Sequence, residues 1–128
     1  MSACVYIIQA DNGEIKVGLS GTPYARLSKV KKEYSKRRGF ADAYLVGFIT
    51  TDYGLEIESF SHKFLEQYAV GGEWYKVNSL FAMRAVLDAA SIFENDVIFK
   101  TVGPSGADKS TVKAFRNLVR ERIGRYKK

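Results

Sequence analysis

Apolar and polar positions along this chain fall into a short series of alternating and helical patterns. Residues 4–10, Cys-Val-Tyr-Ile-Ile-Gln-Ala, form an apolar, β-branched run, followed by the strong hairpin signal Asp11-Asn12-Gly13. Glu14–Leu19 reads as the returning strand. Thr22 and Pro23 then suit the N-cap and first turn of a helix, predicted over Pro23–Arg38 with Leu27, Val30 and Tyr34 inward and Gly39 as its stop. Ala43–Thr50 reads as a third strand. From Gly54 to Tyr68, the residues Ile57, Phe60, Phe64 and Tyr68 recur at helical spacing, until Val70-Gly71-Gly72 breaks the pattern. Glu73–Val77 fits neither template. Asn78 suits the cap of a helix over Ser79–Phe93, with Leu80, Met83, Leu87 and Ala90 inward, and Asp96–Val102 reads as a short edge strand. The linker-like stretch Gly103–Asp108 leads to a last amphipathic helix, Thr111–Arg125. This order predicts an α+β fold: a small, mainly antiparallel three-stranded sheet flanked by helices, with an additional C-terminal basic helix. Residues 1–103 are expected to form the domain and 104–128 the linker and tail helix.

Composition narrows the function classes. The 128 residues suffice for one domain with its own core. Cys4 is the single cysteine and His62 the single histidine, which excludes an internal disulfide and a zinc site built on several histidines. No apolar run reaches membrane-spanning length, and no basic region precedes the opening apolar stretch, so a cytoplasmic setting (a bacterial cell or phage-infected host) without membrane contact is expected.

Charge changes the picture by its placement. The net charge is +6, yet residues 1–103 hold twelve basic and twelve acidic residues. Residues 104–128 hold eight basic and two acidic. Within the first part, Arg26–Arg38 holds seven basic residues against Glu33 alone. A mildly acidic body with two basic segments suits a phosphate-rich partner, although two solvated helix faces would look the same.

The first hairpin admits two registers. A two-residue loop at Asn12-Gly13 places Tyr6 and Lys16 on opposite sheet faces. A three-residue loop, with Gly13 in the left-handed conformation, sets Tyr6 opposite Gly18 and Ile8 opposite Lys16, so that Tyr6, Lys16 and Gly18 share a face.

Taken in order, Tyr6-Ile7-Ile8, Lys16-Val17-Gly18, the helix start Pro23 to Leu27 with Arg26, Glu58-x-x-x-His62 and Gly72-Glu73-Trp74-Tyr75 resemble the GIY-YIG nuclease superfamily. The similarity covers about residues 4–77 and is closest to a branch frequent in phage proteins, with Lys-Val-Gly in place of Tyr-Ile-Gly. Two departures stand out: Val5 replaces the first motif's glycine, and Lys16 the second motif's tyrosine. The resemblance implies the three-residue hairpin loop. It also implies a metal-dependent DNA endonuclease in which Glu73 is the carboxylate holding one Mg²⁺ or Mn²⁺, in keeping with the oxygen preference of hard cations. Tyr6 would act as general base or position the attacking water, and Lys16 would favour the tyrosinate or orient that water. Arg26 would stabilise the phosphate's developing charge. His62 would contact phosphate or water, with Glu58 fixing its tautomer, although the same pair at i and i+4 serves equally as a structural bridge. Gly18 would allow a close approach.

The basic residues then acquire a role. Lys29, Lys31, Lys32, Lys36, Arg37 and Arg38 would track the nucleic-acid backbone beyond Arg26, and Lys113, Arg116 and Arg120 of the tail helix would add a second surface. The expected partner is DNA, most simply double-stranded, and a double-strand cut by one small site would call for a homodimer. Two rival readings are a fold-retaining, non-cleaving nucleic-acid-binding module and an interaction protein docking through its tail helix.

Overall fold

In the computed structural model, which describes residues 2–95 and 97–102, the Asp11-Asn12-Gly13 loop joins β1 (Ala3–Ala10) to β2 (Ile15–Ser20). Gly13 has φ +89° and donates its N–H to the Ala10 carbonyl at 3.0 Å, while the Ala10 N–H meets the Glu14 carbonyl at 2.9 Å. The loop is therefore the three-residue form, and the register sets Tyr6 opposite Gly18 and Ile8 opposite Lys16. Side chains alternate across a strand, so Tyr6, Ile8, Lys16 and Gly18 share one face while Val5, Ile7, Ile15 and Val17 share the other.

The remaining elements are α1 (Pro23–Arg38), β3 (Ala43–Thr51), α2 (Gly54–Phe64), β4 (Ala69–Gly71), β5 (Trp74–Tyr75), α3 (Ser79–Ser91) and β6 (Phe99–Thr101). The sheet is antiparallel throughout its pairings, with six strands in the order β4-β5-β2-β1-β3-β6. The expected three-stranded sheet is thus only its centre, β2-β1-β3. Of the added strands, β6 lies within the edge strand expected over Asp96–Val102, while β4 and β5 are two or three residues long, too short to show alternation in sequence. They form because the edges of β2 and β3 offer unpaired backbone groups.

Helices cover both faces. α2 and α3 pack on Val5, Ile7, Ile15, Val17 and Ile49, with Ile57, Met83 and Val86 fully buried between. α1 packs on the opposite face, where Val30 joins Tyr6, Ile8, Leu45, Phe48 and Trp74, and Leu27 and Tyr34 close the cluster half-buried. Gly39 ends α1, its N–H bonded to the Ser35 carbonyl at 3.0 Å.

Three local expectations need correction. α2 stops at Phe64, and a 3₁₀ turn at Glu66–Tyr68 shifts the helical phase, so Leu65 is buried and Phe64 exposed. Leu80 lies outward in the first turn of α3, where Ala82 and Met83 fill the core instead. Thr22 stands at the N-cap of α1 but caps with no side-chain bond. Asn78 does cap α3, its Oδ1 accepting the Phe81 N–H at 2.7 Å. Among the described residues, no helix is long and apolar enough to cross a membrane. The tail helix expected from Thr111, with Lys113, Arg116 and Arg120, lies outside the described residues.

Candidate functional site

Across the α1 face runs a row of paired residues: Gly18 on β2, Tyr6 on β1, Phe48 on β3 and Lys100 on β6. The Tyr6 ring lies over Gly18. A Cβ at position 18 would stand 2.3 Å from the Tyr6 hydroxyl, so only glycine leaves room for it. α1 crosses above this row and presents Arg26, Val30 and Tyr34, two turns of one helix face. The Arg26 guanidinium neighbours the Tyr6 hydroxyl, and that interaction holds its pKa above the ordinary value. Among the described residues its Nε is buried with no hydrogen-bond partner.

Lys16 lies beside Tyr6 on the same face, only 2% exposed. Its ammonium donates to Glu73 Oε2 in an ion pair and stands over the Tyr6 and Tyr34 rings, 5.7 Å and 5.8 Å from their centroids. A buried ammonium needs such partners, because burial without them would cost several kcal/mol, roughly. Arg26, Tyr6, Lys16 and Glu73 therefore form one connected chain of side chains.

Glu73 arrives from the turn between β4 and β5, where Gly71 and Gly72 both have positive φ. Its carbonyl accepts the Val17 N–H at 3.2 Å, and the Val17 carbonyl accepts from His62 Nε2 at 2.8 Å. A carbonyl only accepts, so Nε2 carries the hydrogen of this contact. α2 thereby brings Glu58 and His62 to the same sheet edge. One potential ligand atom each from Glu58, His62 and Glu73 lies within 4.8 Å of the others. Burial, then the nearby Glu73 charge, raises the Glu58 carboxyl above its usual range. The same combination pushes the Tyr75 phenol up to about 12. A cation would relieve both effects, and two carboxylates with one imidazole are a donor set that suits Mn²⁺ as well as Mg²⁺.

The basic residues of α1 divide. Lys29, Lys32, Lys36 and Arg37 are exposed and form no ion pair among the described residues. Lys31 pairs with Asp42 at 3.0 Å, and that contact lowers the Asp42 pKa. Arg38 is committed within the fold. Its Nε donates to Glu14 at 2.9 Å and an Nη donates to the Val70 carbonyl at 3.1 Å, while the guanidinium lies 5.8 Å from the Trp74 ring centre. Its carbonyl also accepts from Asn12 at 2.8 Å. Helical periodicity marks Tyr34 as a core position only; its spacing of two helical turns from Arg26 is the signal that places it over Lys16.

No curated protein and no solved structure matches the chain. A family model does, over residues 3–94, which runs from the start of β1 through α3 and takes in every member of the Arg26–Tyr6–Lys16–Glu73 chain. The chain belongs to the T5orf172 domain family, a phage-associated domain of nuclease type.

Proposed function

We propose that this protein is a metal-dependent DNA endonuclease of GIY-YIG type. The observation that carries this reading is the single connected chain Arg26–Tyr6–Lys16–Glu73, with Glu58 and His62 at its open end. Glu73 is 41% exposed and Arg26 half-buried, whereas Tyr6 and Lys16 are covered. A phosphodiester therefore meets Arg26 and Glu73 first, with Tyr6 and Lys16 acting from beneath.

Glu73, joined by Glu58 and His62, would hold the divalent cation, which supplies charge neutralisation at the phosphate and the departing oxygen. Arg26 binds a phosphate oxygen and opposes the charge that develops there. Tyr6 positions the attacking water with its phenolic oxygen, itself held between Arg26 and Lys16. Lys16 also fixes the Glu73 carboxylate through Oε2.

The test is plasmid nicking with Mg²⁺ or Mn²⁺ by the wild type, by Glu73→Gln and with EDTA. Cation-dependent nicking, abolished in the variant and with EDTA, is expected. An inert wild type across a range of salt concentrations overturns the reading. DNA binding that survives Glu73→Gln but fails when Lys29, Lys32 and Lys36 are neutralised would then favour the non-cleaving module.

A further inference from the structure

Tyr24, in the first turn of α1, is 53% exposed, yet its ring is fixed against Phe48, with centroids 5.9 Å apart and planes at 83°. Phe48 is buried and pairs directly with Tyr6 across β1 and β3. On its other side Phe48 pairs with exposed Lys100, whose ammonium is 5.8 Å from the Phe48 ring centre. An oriented, solvent-facing aromatic ring thus stands one strand from Tyr6 and two helical positions from Arg26, with an exposed cation at the end of the same row. An aromatic face framed by cations matches an unpaired nucleotide: the base stacks on the ring and the phosphates meet the cations. A fully paired duplex offers no free base face to such a ring.

We propose that Tyr24 is a stacking platform for an unpaired base next to the phosphate bound at Arg26, with Lys100 opposite the neighbouring phosphate. The preferred DNA is therefore a duplex with a flap, gap or splayed end at the bound position. The inference rests on the nuclease reading for where the cut falls, but its binding consequence stands without cleavage.

The experiment measures Kd in EDTA for the wild type, Tyr24→Ala, Tyr24→Phe and Lys100→Gln on a paired duplex and on the same duplex bearing a short flap. The wild type should bind the flapped DNA more tightly. Tyr24→Ala should weaken flap binding about 5- to 100-fold, the range expected when a base–aromatic stack is removed, and change duplex binding by less than about twofold. Tyr24→Phe should keep the preference, and Lys100→Gln should weaken flap binding with a reduced salt slope. Equal losses on both DNAs, or no loss with Tyr24→Ala, overturns the proposal. Should Tyr24→Ala melt early, Tyr24→Leu replaces it, since leucine keeps apolar bulk but has no aromatic face. Flap preference in a protein that cuts nothing would sink the nuclease reading alone. Cleavage that is indifferent to Tyr24 and to unpaired bases would sink this proposal alone.

Discussion

On the α2–α3 side of the sheet, Val5, Ile7, Ile15 and Val17 meet Ile57, Met83 and Val86, all without exposed surface. On the α1 side, the alternate residues of the same strands include Tyr6, Lys16 and Gly18, which meet Arg26 and Tyr34. The first side is held chiefly by apolar burial, worth about 25 cal/mol per Å², with the His62–Val17 contact at its edge. The second buries an ammonium, a phenol and part of a guanidinium, which is tolerable only because each partners the next. One strand pair thus supplies stability through its odd residues and a chemical array through its even ones. Changes on the first side should alter folding and leave the chemistry of each folded molecule intact; changes on the second should do the reverse.

The largest effect tests the apolar side. Met83→Ala should cost about 2–5 kcal/mol of unfolding free energy in denaturant titration, with little change in cleavage per folded molecule. A severe loss of activity without loss of stability would break the division. Glu73→Gln comes next, with cleavage expected to fall about 10²- to 10³-fold. It should also cost about 1–3 kcal/mol of stability, because Lys16 is left buried without its charge partner. Adding Lys16→Met should restore that stability but not the activity, a non-additivity that a double-mutant cycle would expose. Gly18→Ala should cost about 1–3 kcal/mol through overpacking against Tyr6, with activity falling further than stability alone explains. Neutralising Lys29, Lys32 and Lys36 should leave stability unchanged and flatten the salt dependence of duplex DNA binding, by about 0.9 in log–log slope for each phosphate no longer neutralised.

The smallest effect is a pH dependence. Glu58 has a raised pKa, so the folded protein holds this proton more tightly than the unfolded chain does. Its favourable contribution is complete below the unfolded value, near 4.5, and is lost as pH rises through the folded value. Glu58→Gln should therefore raise the melting temperature relative to wild type at neutral pH, with the difference shrinking as the solution is acidified. Divalent cation should narrow the neutral-pH gap by stabilising the wild type.

Where turn and cap chemistry acts locally, the chain announces its structure. The register of β1 and β2 turns on one residue of loop length, and the family resemblance selects the loop that places Tyr6, Lys16 and Gly18 together. α1 runs between Pro23 and Arg38 because a proline start and a glycine stop need no distant partner. β6 falls within the edge strand read over Asp96–Val102, but β4 and β5 are not legible in sequence, since strands this short take their conformation from the edge they join. The exchange of Phe64 for Leu65 follows a change of helix type, which an assumed 3.6-residue period cannot show. At the candidate site, the residue types are readable and their couplings are not. Glu58 and His62 lie on α2, across the sheet from α1, and reach Glu73 only because all three gather at the edge of β2 through the backbone of Val17. In sequence Arg38 reads as one more cation of a basic run; its neighbours Glu14, Val70 and Trp74 come from segments that only the fold brings together.

Trp74 is the only tryptophan in the chain. It is buried next to Glu73, opposite Lys16 in register, and packed between Tyr34 and Phe40 under the Arg38 guanidinium. Light absorbed selectively by the indole therefore reports from this one locality and from nowhere else in the protein. Its emission gives the molecule an internal optical gauge of the hairpin that delivers Glu73, with no label attached.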